Sequence, residues 1–261
     1  MSLMDEMKNV VTIGRELFTT VSGKMKEIDT KVDNAVLGVP DEIKRQMGRR
    51  FYLNQSTGND SNDGKVASRP VKSFEKIASL TPAGASLEII LTSDYEFSVK
   101  ERAPFDNCSL FIHSDYSGEK RKITFSSFID DGGRYTCNNF YVQRNCFFNF
   151  NIVDIQFPSV PAGSGSYSQH SCLIGSNSGA DVGTPLMIRL SSVNIDVPDS
   201  ANNRFALTPG YGMVMLSATA VSAPADWVSA GRVLFAMPPE SLRQYVRLMA
   251  DSNALVTNAS A

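Results

Sequence analysis

The first forty residues carry a single repeating pattern. Met4, Met7, Val11, Gly14, Phe18, Val21, Met25, Ile28, Val32, Ala35 and Val39 are separated alternately by three and four positions. That spacing is an a/d heptad seam, and it holds its phase over five repeats with Gly14 as its one weak member. Lys8, Arg15, Glu16, Lys24, Lys26, Glu27 and Lys31 occupy the other faces. A lone helix with a period of about 3.6 residues drifts off a straight partner over this length, so the seam predicts a coiled coil over residues 1–40. Val and Ile at both a and d favour three strands over two. Pro40 is expected to stop the helix. Residues 41–50 then read as a linker ending in Gly48-Arg49-Arg50.

From Phe51 the pattern changes to short apolar alternations separated by turn-rich stretches such as DDGGRY and PSVPAGSGSYSQ. LEIIL (87–91), SLFIHS (109–114), KITFSS (122–127), NCFFNFNIVDIQF (145–157), LMIRLSSVNIDV (186–197) and GMVMLSA (212–218) are the expected strands. Two of them reset their phase midway. Phe148, Phe150 and Ile152 alternate, and Val153, Ile155 and Phe157 continue in the opposite phase. Leu186, Ile188 and Leu190 are followed in the same way by Val193, Ile195 and Val197. A chain that turns a corner and keeps one side inward gives this pattern, whereas a hairpin reverses through a Gly/Asn turn that neither corner has. Leu87 and Leu110 are 23 residues apart, one circuit of a coil of parallel strands. Such a coil has bare strand edges at its ends. SRPVKSFEKIASL (68–80) is expected to cover one end as a helix capped by Ser68, with Pro70 in its first turn and Phe74 and Ile77 inward. PPESLRQYVRLMA (238–250), with Leu242, Tyr245, Val246 and Met249 on one face, is expected to cover the other, ahead of a frayed SNALVTNASA.

Between the first strand and the first capping helix lies Gly58-Asn59-Asp60-Ser61-Asn62-Asp63-Gly64. If Gly64 were the sixth residue of a calcium loop, position one would be Asn59 and position twelve Pro70, so the required acids are missing. There is no G-x-x-x-x-G-K-[ST] phosphate cradle either. What remains is a turn whose residues tolerate positive φ and bond their own backbone. FYLNQSTGNDSNDGKVASRPVKSFEKI (51–77) resembles the opening segment of pectate-lyase-like right-handed parallel β-helix proteins, above all those of bacteriophage tail fibres and tailspikes. In these an aromatic-aliphatic strand leads into a G-N-D-x-N-D-G turn, a Pro, a Lys-Ser/Thr and a capping helix. Pro70, Lys72, Ser73, Phe74 and Ile77 match those positions. The resemblance implies a homotrimer in a virion tail, assembled in the host cytoplasm, touching other tail or baseplate proteins and facing a host surface glycan. The expected fold is therefore mostly β, a short right-handed parallel β-helix over 51–261 behind a trimeric coiled-coil stem.

Composition narrows the chemistry. The chain has 261 residues, 42% hydrophobic and 20% charged, with a net charge of −2, so it lacks a basic footprint for nucleic acid. No run approaches the roughly 20 apolar residues of a membrane helix. The four cysteines, Cys108, Cys137, Cys146 and Cys172, match no zinc spacing, and His113 and His170 are the only histidines. The cysteines are expected as reduced thiols, with no cofactor and no metal. His113 in a strand and His170 in a Ser-rich loop have no nucleophile elbow nearby.

Phage β-helix spikes of this resemblance often cleave host polysaccharide. Glycoside hydrolysis requires two carboxylates about 5–10 Å apart. Asp115, Glu119, Asp130, Asp131, Asp154, Asp181 and Asp196 are the candidates. Asp154 and Asp196 occupy equivalent, outward places in the two phase-resetting segments and are the pair to test. The alternatives are that they are solvated strand carboxylates and that DDGG is a turn. Family depolymerases carry more coils than this chain has room for. Family lyases use Arg or Lys with bound calcium, and no acidic triad is clustered here. Trp227 in APADWVSAG is a candidate to stack on a sugar ring or to fill a gap between protomers. Tyr135, with Tyr141, Tyr167 and Tyr211, is a candidate groove lining. The leading expectation is a structural, non-enzymatic fibre component that takes part in host attachment or anchors other receptor-binding proteins. The alternative is a depolymerase acting on capsule or lipopolysaccharide.

Overall fold

The structure, a computed structural model, describes residues 2–98, 100–160, 166–167, 171–176, 186–209, 214–229 and 234–235. The chain divides into two units, Met1–Gln46 and Met47–Ala261.

Helix α1 spans Leu3–Met47. Ser2 caps it: its Oγ accepts from the Met4 N–H at 3.1 Å, and its own N–H donates to the Asp5 carboxylate at 3.2 Å. Glu27 takes Lys24 and Lys31 at 2.9 and 2.8 Å, an exposed pair of one-turn contacts. The expected stop at Pro40 does not occur, and the connector expected as helical or irregular is helical up to Met47. The helix continues to Met47, and a strand begins at Gly48. An interior proline costs about 3 kcal/mol, but strong helix formers in DEIKRQM oppose a break. The seam residues Met4, Met7, Val11, Phe18, Val21, Met25, Ile28, Val32 and Val39 are 48% to 74% exposed in the single chain.

The second unit is mostly β and mostly parallel. Sheet A holds six parallel strands in the order Gly48–Leu53, Ser86–Leu91, Ser109–Ser114, Cys146–Asn151, Leu186–Ser191 and Val214–Thr219. Sheet B stacks Tyr95–Glu96, Arg121–Thr124, Val153–Gln156 and Asn194–Asp196, and sheet C stacks Arg102–Asp106, Asn139–Arg144 and Ile174–Ser176. Along the sequence the strands rotate A, B, C and return to A one strand further over. Leu87 pairs with Leu110, the 23-residue circuit read from the sequence. Among the described residues the exception to parallel pairing is the hairpin Ser127–Ile129 with Arg134–Cys137, turned by the DDGG run. There Asp130 Oδ1 accepts from the Gly132 and Arg134 amides at 3.0 and 2.9 Å, and Gly133 sits at φ 71°.

Inward positions of the three sheets form one apolar core. At its centre Phe140, fully buried, packs against Phe74, Phe97, Phe105, Phe125, Phe148 and Phe150, with ring centroids 4.9–6.4 Å away. The phase resets are corners turned by one left-handed residue: Ile152 at φ 52° and Ser192 at φ 54°. The Ile152 amide donates to the Ser191 carbonyl of the next circuit, and the Ser192 amide to Thr219, both at 2.9 Å. Ile152 is therefore not an inward residue, contrary to the alternation. Inward packing stops at Phe150 and resumes at Val153.

Helix α2 spans Phe74–Leu80 and buries Phe74, Ile77 and Ala78 over the first circuit. Its cap is Ser73 rather than Ser68, and Pro70 lies outside it, before a bridge from Val71 to Leu53. The Gly-Asn-Asp turn explains the shift. Asp60 accepts from the Lys72 amide at 2.7 Å, the Ser73 amide at 3.0 Å and the Ser73 hydroxyl at 2.8 Å, and Ser73 Oγ then accepts from Lys76. Gly58 is required, because a Cβ there would lie 2.2 Å from the Asn54 carbonyl oxygen. The turn organises a helix cap. Residues 238–250, expected as the far cap, and the terminal SNALVTNASA lie outside the described residues.

Candidate functional site

The outer faces of the three sheets differ. On sheet B, register aligns Lys122, Asp154, Asn194 and Ser222 in one row, and Glu96, Thr124, Gln156 and Asp196 in the next. Asp154 and Asp196 do share this face, but they are two residues out of register: Asp154 pairs with Asn194, and Asp196 pairs with Gln156. Asp154 accepts from Asn194 Nδ2 at 2.9 Å and lies 3.9 Å from Lys120 Nζ, and Ser222 in turn donates to Asn194. These contacts hold Asp154 as a paired carboxylate within a polar ladder.

The two aromatic candidates belong to the core. Trp227 is 0% exposed; its indole N–H donates to the Phe205 carbonyl at 3.1 Å, and its ring meets Phe157 edge to face at 4.9 Å. It has no free face for a sugar, because helix α3 (Ala225–Ser229) turns it inward. Tyr135, 6% exposed, packs edge to face against Tyr167 at 5.1 Å. On sheet C, Arg102 lies over the Tyr141 ring at 5.8 Å, and Arg144 pairs with Asp106 at 2.5 Å. The Arg144 hydrogen bond holds the Asp106 carboxyl below its ordinary range, against a smaller opposing effect of burial. His170, Asp181 and Tyr211 lie outside the described residues.

Sheet A carries a network that the sequence does not announce. Arg50 Nε donates to Glu88 at 2.5 Å, and Glu88 Oε1 lies 3.2 Å from His113 Nε2. His113 is 1% exposed, with Nδ1 2.7 Å from the Ser114 carbonyl and its ring tilted against Phe111 and Tyr116, centroids 4.7 and 5.3 Å away. Burial raises the Glu88 carboxyl, but hydrogen bonds from Arg50 and His113 outweigh it, and the net shift is downward. Only parallel register joins these residues, through the Arg50–Glu88 and Ile90–His113 pairs. The 23-residue circuit was the available signal. Tyr52, Ile90, Phe111, Phe147 and Met187 occupy outward positions of sheet A among Ser109, Asn149, Asn151 and Arg189; Ile90 is buried, and Met187 is 41% exposed.

All four cysteines are buried free thiols. Burial pushes the Cys146 thiol up to about 12 and raises the Cys108, Cys137 and Cys172 thiols as well, so none is a poised nucleophile. Among the described residues no group of three His, Cys, Asp or Glu side chains is placed to hold a metal ion. No helix among them is long and apolar enough to cross a membrane.

No protein-family model matches the chain, and no curated protein does. Among solved structures, the GH136 lacto-N-biosidase from Eubacterium ramulus is similar at 14% identity and a TM-score of 0.43, over 84% of this chain and 43% of that one. The chain thus spans less than half the length of that protein, and a likeness at this level carries no argument about activity. The feature with the most consequence is the apolar seam of α1, exposed in the single chain.

Proposed function

We propose that this chain is a structural component of a phage tail, a short homotrimeric fibre or spike. In this reading α1 forms a three-stranded stem, and the second unit is a short right-handed parallel β-helix. The repeated rotation through sheets A, B and C supports the β-helix. The observation that carries the trimer is the seam: eleven positions at unbroken 3-4 spacing, nine of them large apolar residues exposed in one chain. A helix of this length has no reason to keep an apolar stripe in water unless copies bury it. The blades then take part in host attachment or anchor other tail or baseplate proteins. Three sites on one stem reach useful avidity from weak single contacts with a host surface glycan. The polar outer rows of sheet B and the Arg102–Tyr141 pair of sheet C are the surfaces that suit such contacts.

The test is molar mass by light scattering on the full chain and on the Val21→Asp/Ile28→Asp double variant. The expected result is three times the 28.5 kDa chain mass for the first and a single chain mass for the second. A monomeric parent chain would remove the stem.

A further inference from the structure

We propose that Cys108 and Cys146 are a latent cross-link: in a medium that holds a small-molecule disulfide they oxidise to one disulfide bond, which ties two adjacent circuits of the β unit together. The bond needs a single chain and does not depend on the stem or on the fibre reading.

The geometry comes from one corner, where sheet C gives way to sheet A. Asp106 is level with Arg144 and Ser109 with Phe147, so Cys108 lies level with Cys146 on the adjacent circuit. Backbone hydrogen bonds fasten the corner on both sides of the thiols. The Asn107 amide donates to the Arg144 carbonyl at 2.8 Å, and the Phe147 amide to the Cys108 carbonyl at 2.9 Å. The Cys108 amide donates to Cys146 Sγ at 3.5 Å. Each thiol also donates to the carbonyl two residues before it, Cys108 to Asp106 at 3.1 Å and Cys146 to Arg144 at 3.2 Å. The two side chains thus follow the same course, one above the other. Neighbouring strands lie about 4.8 Å apart, and a disulfide joins Cα atoms roughly 4.4–6.8 Å apart. The bond therefore needs side-chain rotation and no separation of the circuits. The other two cysteines lack this alignment. Ile174 pairs with Phe140, which sets Cys172 level with Asn138, and the Cys137 thiol donates to the Cys172 carbonyl at 3.4 Å.

A cover governs access. Cys108 and Cys146 are both buried, and residues 82–85 lie against Cys108. Its Sγ is 3.7 Å from the Pro82 carbonyl; the Gly84 amide donates to the Asp106 carbonyl at 3.3 Å, and the Ser109 amide to the Ala85 carbonyl at 2.9 Å. Burial raises both thiols, so the pair reacts when this cover opens locally and not at rest. In the opened form Cys108 loses its proton to solvent and attacks one sulfur of the small disulfide, releasing one thiol. Cys146 then gives up its own proton, attacks the Cys108 sulfur and releases the second thiol. The protein loses two protons and two electrons, and the small disulfide takes them up as two thiols. The finished bond closes a loop across 38 positions, and restricting so long a loop in the unfolded chain stabilises the fold.

The test incubates the full chain with oxidised glutathione and, in parallel, with reduced glutathione. The expected result is that oxidation removes two of the four free thiols and that peptide mapping joins Cys108 to Cys146 within one chain. The melting temperature of the β unit should rise by about 5–10 °C over the reduced form. Cys108→Ala and Cys146→Ala should each abolish that rise, and Cys137→Ala should keep it. Mapping the parent chain needs no variant, so the outcome is decided even where a variant fails to fold. Four thiols still free after a time that fully oxidises the urea-unfolded chain overturn the proposal. So do glutathione held on either sulfur without a cross-link, a bond from Cys137 to Cys172 in its place, and a bond between two chains.

Discussion

The two units handle apolar residues in opposite ways. In α1 the large apolar side chains from Met4 to Val39 face water in the single chain. In the β unit Phe, Ile and Leu from sheets A, B and C close on one another around Phe140. The β unit buries its core by folding. The apolar side chains of the helix close on nothing in the single chain, and under the proposed stem other copies bury them. An isolated helix gains little from propensity and much from packing. Stability in the first unit is therefore expected to depend on protein concentration, while that of the second depends on the fit of its own side chains.

The largest expected effect tests the second half of this contrast. Phe140→Ala removes a fully buried ring from the middle of six others and should cost about 3–5 kcal/mol. Chemical denaturation followed by the near-ultraviolet signal of the aromatic core checks it, and the loss should not vary with chain concentration. Val21→Ala should do the reverse, lowering the helical melting point most at low concentration and leaving the aromatic signal in place.

Next comes the turn before α2. Asp60→Ala removes three hydrogen bonds to the cap at Ser73 and should cost about 1–3 kcal/mol, with early loss of hydrogen-exchange protection in α2. Asp60→Asn keeps the acceptor and should recover part of it. A smaller effect of opposite sign is expected at Ile152. A β-branched residue at φ 52° is strained, and Ile152→Asn should raise stability by about 1 kcal/mol in the same denaturation assay.

The smallest effect is on pH. The folded-state pKa of Glu88 is depressed, so its contribution is present above the unfolded value of about 4.3 and is lost as pH falls through the folded value. The melting temperature of the β unit should fall between neutral pH and pH ~3. Glu88→Gln should remove a part of that fall worth less than about 1 kcal/mol, because the pair is partly open to solvent.

Much of this architecture is legible in residue order. The heptad seam, the strands, the corners after Phe150 and Leu190, and the 23-residue step from Leu87 to Leu110 all follow from backbone periods of 3.5 and 2. The sequence also ruled out calcium and phosphate at the Gly-Asn-Asp turn, and the turn proves to be a cap. The candidate site was less legible. Asp154 and Asp196 were rightly placed on one face, but their relative register was not. Tyr135, expected in a glycan groove, and Trp227, expected against a sugar ring or in a gap between protomers, are core residues of the single chain.

The physical reason is range. A period along the chain is set by backbone geometry and the two or three neighbouring side chains, so it is written in consecutive letters. The choice of Ser73 over Ser68, the inward turn of Trp227 and the meeting of Arg50, Glu88 and His113 depend on partners further along the chain or on the adjoining coil. Their energies arise once one circuit lies on another. Until the circuits stack, nothing in the order of residues says which carboxylate will find an arginine and which ring will find the dark.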